Sequence, residues 1–129
     1  SGHGDWAIDF PLAKNTPIYA TGSGEVIGLA DDQGGNCNPA IYPNLLDCPD
    51  GKEGNTVLID HGGGVYSFYG HFATVTVDVG DMVTEGTVIG SAGDSGWAPP
   101  GFSHLHYEEW QGFLWAGGKR TEPRDLHAL

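Results

Sequence analysis

Gly54-Asn55-Thr56-Val57-Leu58-Ile59-Asp60-His61-Gly62-Gly63-Gly64-Val65-Tyr66-Ser67-Phe68-Tyr69-Gly70-His71-Phe72 is the stretch on which the fold turns. Two runs rich in β-branched and aromatic side chains flank three consecutive glycines, and glycine reaches positive φ without steric cost. The segment reads as a hairpin whose strands, Asn55 to His61 and Val65 to Phe72, are antiparallel neighbours. Outward from it the same rhythm predicts short strands at Pro17 to Ala20, Gly24 to Ala30, Met82 to Thr84, Val88 to Ser91 and His104 to Gln111. Twenty-two glycines and eight prolines punctuate these runs, and no helical periodicity emerges, so the expected class is mainly β, a single antiparallel β-sheet-rich domain with little helix.

The chain has 129 residues and 39% hydrophobic content, enough for one core, with the domain expected over 1–115 and a polar, Gly/Pro-rich strap or linker start over 116–129. Residues 31–54 are too long for an ordinary connection and read as a functional or stapled insertion. Inside it Cys37 and Cys48 lack a histidine at zinc-finger spacing, so they read as a disulfide, which points to an exported compartment. No apolar run is long enough to span a membrane as a helix, which argues against membrane insertion. Ser1 opens a polar segment unlike a signal peptide, so an export signal is expected to lie outside the given chain.

Seventeen acidic against five basic residues give a formal charge of −12, which repels nucleic acid and anionic membranes. The turn-strand-turn segment from Val79 to Gly90 has the rhythm of lipoyl and biotin carrier domains. A carrier needs a lysine at an exposed hairpin tip, and neither Lys14 nor Lys52 has that context.

His104-Leu105-His106 is the sharpest chemical feature. On a strand, residues two apart share a face, so both imidazoles converge while Leu105 turns to the opposite, apolar layer. Imidazole and carboxylate suit Zn²⁺, and a catalytic zinc keeps three protein ligands and one open position. His3, Asp9 and His106 would supply such a set; by the residues alone, Asp9 reads equally as a turn carboxylate and His71 as a hydrogen-bonded core residue. A second ligand set, His3 with both His104 and His106, leaves Asp9 outside. Glu108 continues the face of His104 and His106, either orienting a histidine or standing as a partly exposed sheet carboxylate.

Four stretches carry a resemblance to lysostaphin/LytM-type zinc metallopeptidases, which are peptidoglycan endopeptidases. They are Ala7-Ile8-Asp9-Phe10 with Thr16 to Ala20, Gly54 to Gly64, Tyr69-Gly70-His71-Phe72, and Ser103 to Glu108, in the family's order across roughly residues 3–110. The resemblance implies a loop-walled active-site groove, one Zn²⁺ held by His3, Asp9 and His106, and catalytic histidines at His71 and His104 that flank a metal-activated water. It implies cleavage of peptidoglycan cross-links or stem peptides by a secreted, periplasmic or cell-surface protein of bacterial or bacteriophage-like origin; the acidic charge, which slows approach to an anionic wall, adds the expectation of a targeting domain elsewhere in the native chain or of high salt. Tyr66, Tyr69, Trp97 and Phe102 are expected to line the groove. Three departures stand out. Five residues separate His3 from Asp9, where the family commonly has three. Asp94 to Ser103 replaces the usual glycine-rich stretch before the last histidine pair, and the 31–54 insertion exceeds the minimal pattern. The competing reading is a catalytically inactive relative that binds wall peptides or a partner.

Overall fold

The computed structural model describes residues 7–112 and 118–121. Its strands are β1 (Ala7–Pro11), β2 (Pro17–Tyr19), β3 (Gly24–Ala30), β4 (Asn36–Cys37), β5 (Asn55–Gly62), β6 (Val65–Val75), β7 (Met82–Val83), β8 (Val88–Ala92), β9 (Gly96–Trp97), β10 (His104–Gln111) and β11 (Lys119–Thr121). Among the described residues the only helical element is a single 3-10 turn at Leu45–Asp47, capped by the Asn44 side chain. The protein is mainly β and antiparallel, as its sequence predicts.

The hairpin is present: β5 and β6 pair antiparallel, with Gly62, Gly63 and Gly64 at φ of 85°, 63° and 84°. The main sheet runs β1-β10-β6-β5-β3-β7, with β11 continuing the outer edge of β10 and β8 carrying β2. One buried face gathers Ile18, Val26, Val57, Ile59, Phe72 and Ile89 with Tyr69, Leu105 and Tyr107. Buried Thr21 lies 2.8 Å from the hydroxyls of both Tyr69 and Tyr107, so the polar tips of these rings are paired inside the core.

β6 is the element that makes the site. From Val65 to Gly70 one of its edges is occupied by β10, and from Phe72 onward β8 takes over that edge. Between the two partners the strand is irregular, because Asn55 faces Phe72 while Val57 faces Tyr69, leaving an extra residue on β6. That irregularity holds His71 at φ of 64°, the left-handed region. Its backbone N–H leaves the sheet ladder and donates to the Glu53 carbonyl at 2.6 Å, at the end of the insertion.

The insertion is tied down at several points. Cys37 and Cys48 form a disulfide. β4 pairs in parallel with β9, so the insertion adds a small second sheet with the 93–103 loop. Asn36 donates from Nδ2 to the Asp94 and Ala98 carbonyls, and the Trp97 indole donates to the Tyr42 carbonyl at 2.7 Å.

Candidate functional site

Strand alternation on β10 puts His104, His106 and Glu108 on one face and Leu105, Tyr107 and Glu109 on the core face. β1 lies alongside in a register that sets Asp9 opposite His106. Asp9, read from sequence as either ligand or turn residue, thus sits on a strand, exposed, with Oδ1 3.1 Å from His106 Nδ1. The other ring nitrogen, Nε2, is 2.7 Å from Glu108 Oε2. Glu108 is buried rather than partly exposed, and its second oxygen accepts from the Trp110 indole at 2.8 Å. His106 is therefore gripped between two carboxylates on a regular ladder.

The opposite wall is built from irregular backbone. His71 is buried, its Nδ1 donates to the Ser95 carbonyl at 2.5 Å, and Ser95 is itself fixed by a hydroxyl bond to the Phe72 carbonyl at 2.6 Å. Across from it, at the start of β10, His104 Nδ1 meets the Phe102 carbonyl at 3.1 Å. A carbonyl accepts only, so both rings carry their proton on Nδ1 and leave an Nε2 lone pair free. Ring centroids lie 4.5 Å apart for His71 and His104 and 6.0 Å apart for His71 and His106. The imidazoles singled out at 71, 104 and 106 do converge.

One member of this cluster leaves no trace in the sequence pattern. Glu53, at the close of the insertion, places Oε2 3.5 Å from His71 Nε2 and 3.7 Å from His106 Nε2. Its side chain crosses directly over Gly70, where an added Cβ would stand 3.0 Å from Oε2 and 3.2 Å from the Glu53 Cβ. Glycine at 70 is what lets this carboxylate enter. No periodicity marks Glu53, and between Lys52 and Gly54 it reads as a solvated loop charge; only the length of the insertion hints that it carries something.

The groove expectations divide. Phe102 is half exposed with its ring 5.3 Å from that of His104, at the rim of the cluster. Tyr66 shares the face of Phe68 and Gly70 with the site, by its register opposite Trp110. Trp97 joins the 93–103 loop to the insertion. Tyr69 does not line the groove: it is fully buried on the opposite face, bonded to Thr21 and Ser67. Counting by twos from His71 puts Tyr69 on the site face, and the extra residue at 70–71 breaks that count. His3 lies outside the described residues, and so does His127.

Burial sets the electrostatics. It pushes the Glu53 carboxyl above its usual range, with attraction to His106 opposing and repulsion from Glu108 and Asp9 adding. It depresses His71 to about 4, against the Ser95 carbonyl, which favours the charged ring. For His106 burial also disfavours charge, but the Glu108 hydrogen bond and the charges of Glu53, Glu108 and Asp9 outweigh it and raise the pKa. A cavity of about 610 Å³ lined by Phe10, Leu12, Ile18 and Leu105 opens on the other face of β1 and β10. Size alone does not locate the chemistry here; the donors do.

Imidazoles converging beside carboxylates are the donor chemistry of a divalent transition-metal site. The chain belongs to peptidase family M23, whose profile matches residues 3–123. It is 30% identical over 100 residues to the peptidoglycan DD-endopeptidase ShyA of Vibrio cholerae, covering 78% of this chain and 19% of that protein. Its fold matches a single-substitution mutant of the catalytic domain of the prophage-encoded M23 protein EnpA from Enterococcus faecalis, with a TM-score of 0.67 and 26% identity over 91% of this chain and 74% of that one. The catalytic domain of the antimicrobial peptidase lysostaphin from Staphylococcus simulans shares the fold with a TM-score of 0.66 at 22% identity, covering 89% and 74% of the two chains. The chain spans about a fifth of the length of the curated relatives it matches, 22% and 19%.

Proposed function

We propose that this chain is a zinc-dependent endopeptidase domain that hydrolyses peptide cross-links or stem peptides of bacterial peptidoglycan. The observation that carries the proposal is the convergence of His71, His104 and His106, two with Nδ1 spent on backbone carbonyls and the third held between carboxylates. Family membership and the similarity to a peptidoglycan DD-endopeptidase support the substrate class.

The residues fit a zinc ion. A neutral His106 has one proton for two carboxylates, Asp9 at Nδ1 and Glu108 at Nε2. A cation between Nδ1 and Asp9 Oδ1 satisfies both, and their 3.1 Å separation is close to the edge of about 3.3 Å that bonds of 2.0–2.1 Å give in a tetrahedron. Asp9 and His106, with His3 as the third donor, would hold the ion, and Glu108 would keep the His106 ring oriented through its Nε2–H. When bound, zinc supplies Lewis acidity to a water and to the scissile carbonyl. The free Nε2 atoms of His71 and His104 accept hydrogen from the attacking water. One of them takes its proton and returns it to the leaving amine, and the other, charged by a proton drawn from solvent, stabilises the developing oxyanion. The buried, weakly basic His71 is neutral at pH 7 and so ready to accept.

The disulfide supports an exported location, and the acidic surface, which repels an anionic wall, supports a targeting domain elsewhere in the native chain. Metal analysis together with mass spectrometry of digested muropeptides tests the proposal: one tightly bound zinc and newly released peptide termini are expected. Zinc-loaded protein that leaves peptidoglycan uncut would instead favour an inactive, wall-peptide-binding relative.

A further inference from the structure

Ser95 acts on His71 from two sides. Its carbonyl accepts the Nδ1–H of the ring at 2.5 Å. Its hydroxyl accepts the Asn55 N–H at 3.1 Å and donates to the Phe72 carbonyl at 2.6 Å. One oxygen thus joins the main chains of β5 and β6 at the residue pair that closes the irregular stretch. His71 stands in that stretch, in the left-handed conformation that surrounding contacts must hold in place. Ser95 therefore secures both the backbone that carries the ring and the nitrogen that carries its hydrogen. At 2% exposure it is too deep to touch a substrate, so whatever it does is done through His71.

The insertion braces the loop around this residue. Asn36 Nδ2 donates to the Asp94 carbonyl at 2.7 Å and to the Ala98 carbonyl at 3.0 Å. The N–H groups of Gly96 and Trp97 donate to the carbonyls of Gly35 and Lys52 at 2.8 and 2.9 Å. Gly54 leaves the space, since a Cβ there would stand 2.5 Å from Ser95 Oγ. What the arrangement opposes is a hydrogen on the wrong nitrogen. A neutral imidazole has one N–H for two nitrogens. His71 Nε2 faces Glu53 Oε2 at 3.5 Å, a buried oxygen with no hydrogen-bond partner among the described residues. As a carboxylate, Glu53 only accepts, so it draws the hydrogen towards Nε2, and a ring protonated there cannot take a proton from water. Ser95 competes for the same hydrogen through the shorter contact.

We propose that Ser95 is a positioning residue for the hydrolysis: it holds His71 in the Nδ1–H tautomer against the pull of Glu53, and so keeps the Nε2 lone pair available to water. This rests on the peptidase reading above. The hydroxyl works indirectly, by anchoring to Asn55 and Phe72 the residue whose carbonyl meets the ring. Without it the carbonyl can swing away from Nδ1, and the buried Asn55 N–H and Phe72 carbonyl lose the partner they share. The tautomer balance then moves towards Glu53.

Ser95→Ala should keep its zinc, because Asp9 and His106 lie on the other wall, and should keep KM, while kcat falls roughly ten- to a hundred-fold, part of the factor that a general acid or base supplies. Ser95→Thr, which retains the hydroxyl, should recover most of that loss. Nitrogen-15 NMR of the His71 ring in the zinc-loaded protein reads the tautomer independently of activity. Wild type should show hydrogen on Nδ1 and a bare Nε2, and Ser95→Ala should show a clear share of rings with hydrogen on Nε2. If Ser95→Ala does not fold, Ser95→Cys, similar in size and a weak hydrogen bonder, carries both readouts. A His71 ring that keeps its Nδ1 hydrogen in the variant, or a variant with unchanged kcat, overturns the proposal and leaves the peptidase reading standing. Wild-type protein that leaves peptidoglycan uncut overturns that reading, and the role of Ser95 in hydrolysis with it.

Discussion

The two walls of the site are built by opposite means. On the β1/β10 side, Asp9, His106 and Glu108 sit on regular antiparallel strands, and their contacts follow from register and alternation. On the β6 side, His71, Glu53 and Ser95 meet through an extra residue, a left-handed backbone and the end of an insertion. Ordered ladders fix the separation of donors, which is what the proposed ion requires. Irregular backbone brings together groups that no periodic element could converge, at a cost in strain and in buried, unsatisfied polarity.

The contrast is broken most sharply by single substitutions at the histidines. His106→Ala and Asp9→Ala, on the ladder side, should abolish zinc retention. His104→Ala should keep the metal while kcat falls roughly a hundred- to ten-thousand-fold, the usual range for a general acid or base. Elemental analysis beside steady-state kinetics reads both, and a His104→Ala protein without zinc would refute the division of roles.

Next in size is Glu108→Gln, which weakens the ring's orienting partner and should lower zinc affinity by about ten- to a hundred-fold in chelator competition. Unchanged affinity would mean that β10 alone orients His106. In metal-free protein the walls should also respond oppositely to pH. His71 is depressed from 6.5 to about 4, so the unfolded chain binds its proton first; the stability it lends is present above pH 6.5 and is lost as pH falls toward 4, by up to about 3 kcal/mol. His106 is raised, so its contribution is present below 6.5 and is lost as pH rises through its folded value. Denaturant melts across pH 3.5–8.5, comparing wild type with His71→Ala and His106→Ala, separate the two slopes. A His71→Ala protein with the wild-type acid slope would contradict the burial argument.

A smaller effect should follow from Cys37→Ser with Cys48→Ser. Opening the bridge across a sequence separation of 11 should cost about 2–3 kcal/mol in urea and loosen the β6 wall far more than the ladder wall. Hydrogen exchange at the His71 amide, against that at the β10 amides, measures the difference; equal protection at both would show that the insertion does not support His71.

The same division explains what the sequence discloses. The hairpin is legible because three glycines separate two strand-forming runs, and the His104/His106 pair because alternation has a period of two. β1 does not stand out as a strand, since its five residues end in proline and carry no turn signal to define them. Tyr69 falls on the core face because aromatic type alone does not tell groove from core, and Glu53 escapes notice because its position depends on chain that follows no period. β4 and β9, two residues each, exist only through their mutual pairing across 60 residues of chain, a tertiary event without a local signature.

The left-handed conformation of His71 bears on how such a domain drifts over generations. Asparagine or glycine would occupy that φ more comfortably, relieving a backbone penalty of about 1 kcal/mol. If the proposed hydrolysis is the domain's task, selection for it and selection for robustness pull this one codon in opposite directions. A descendant freed from its enzymatic duty should shed the imidazole here early, which makes the identity of residue 71 a sensitive marker of whether a homologous domain still cuts.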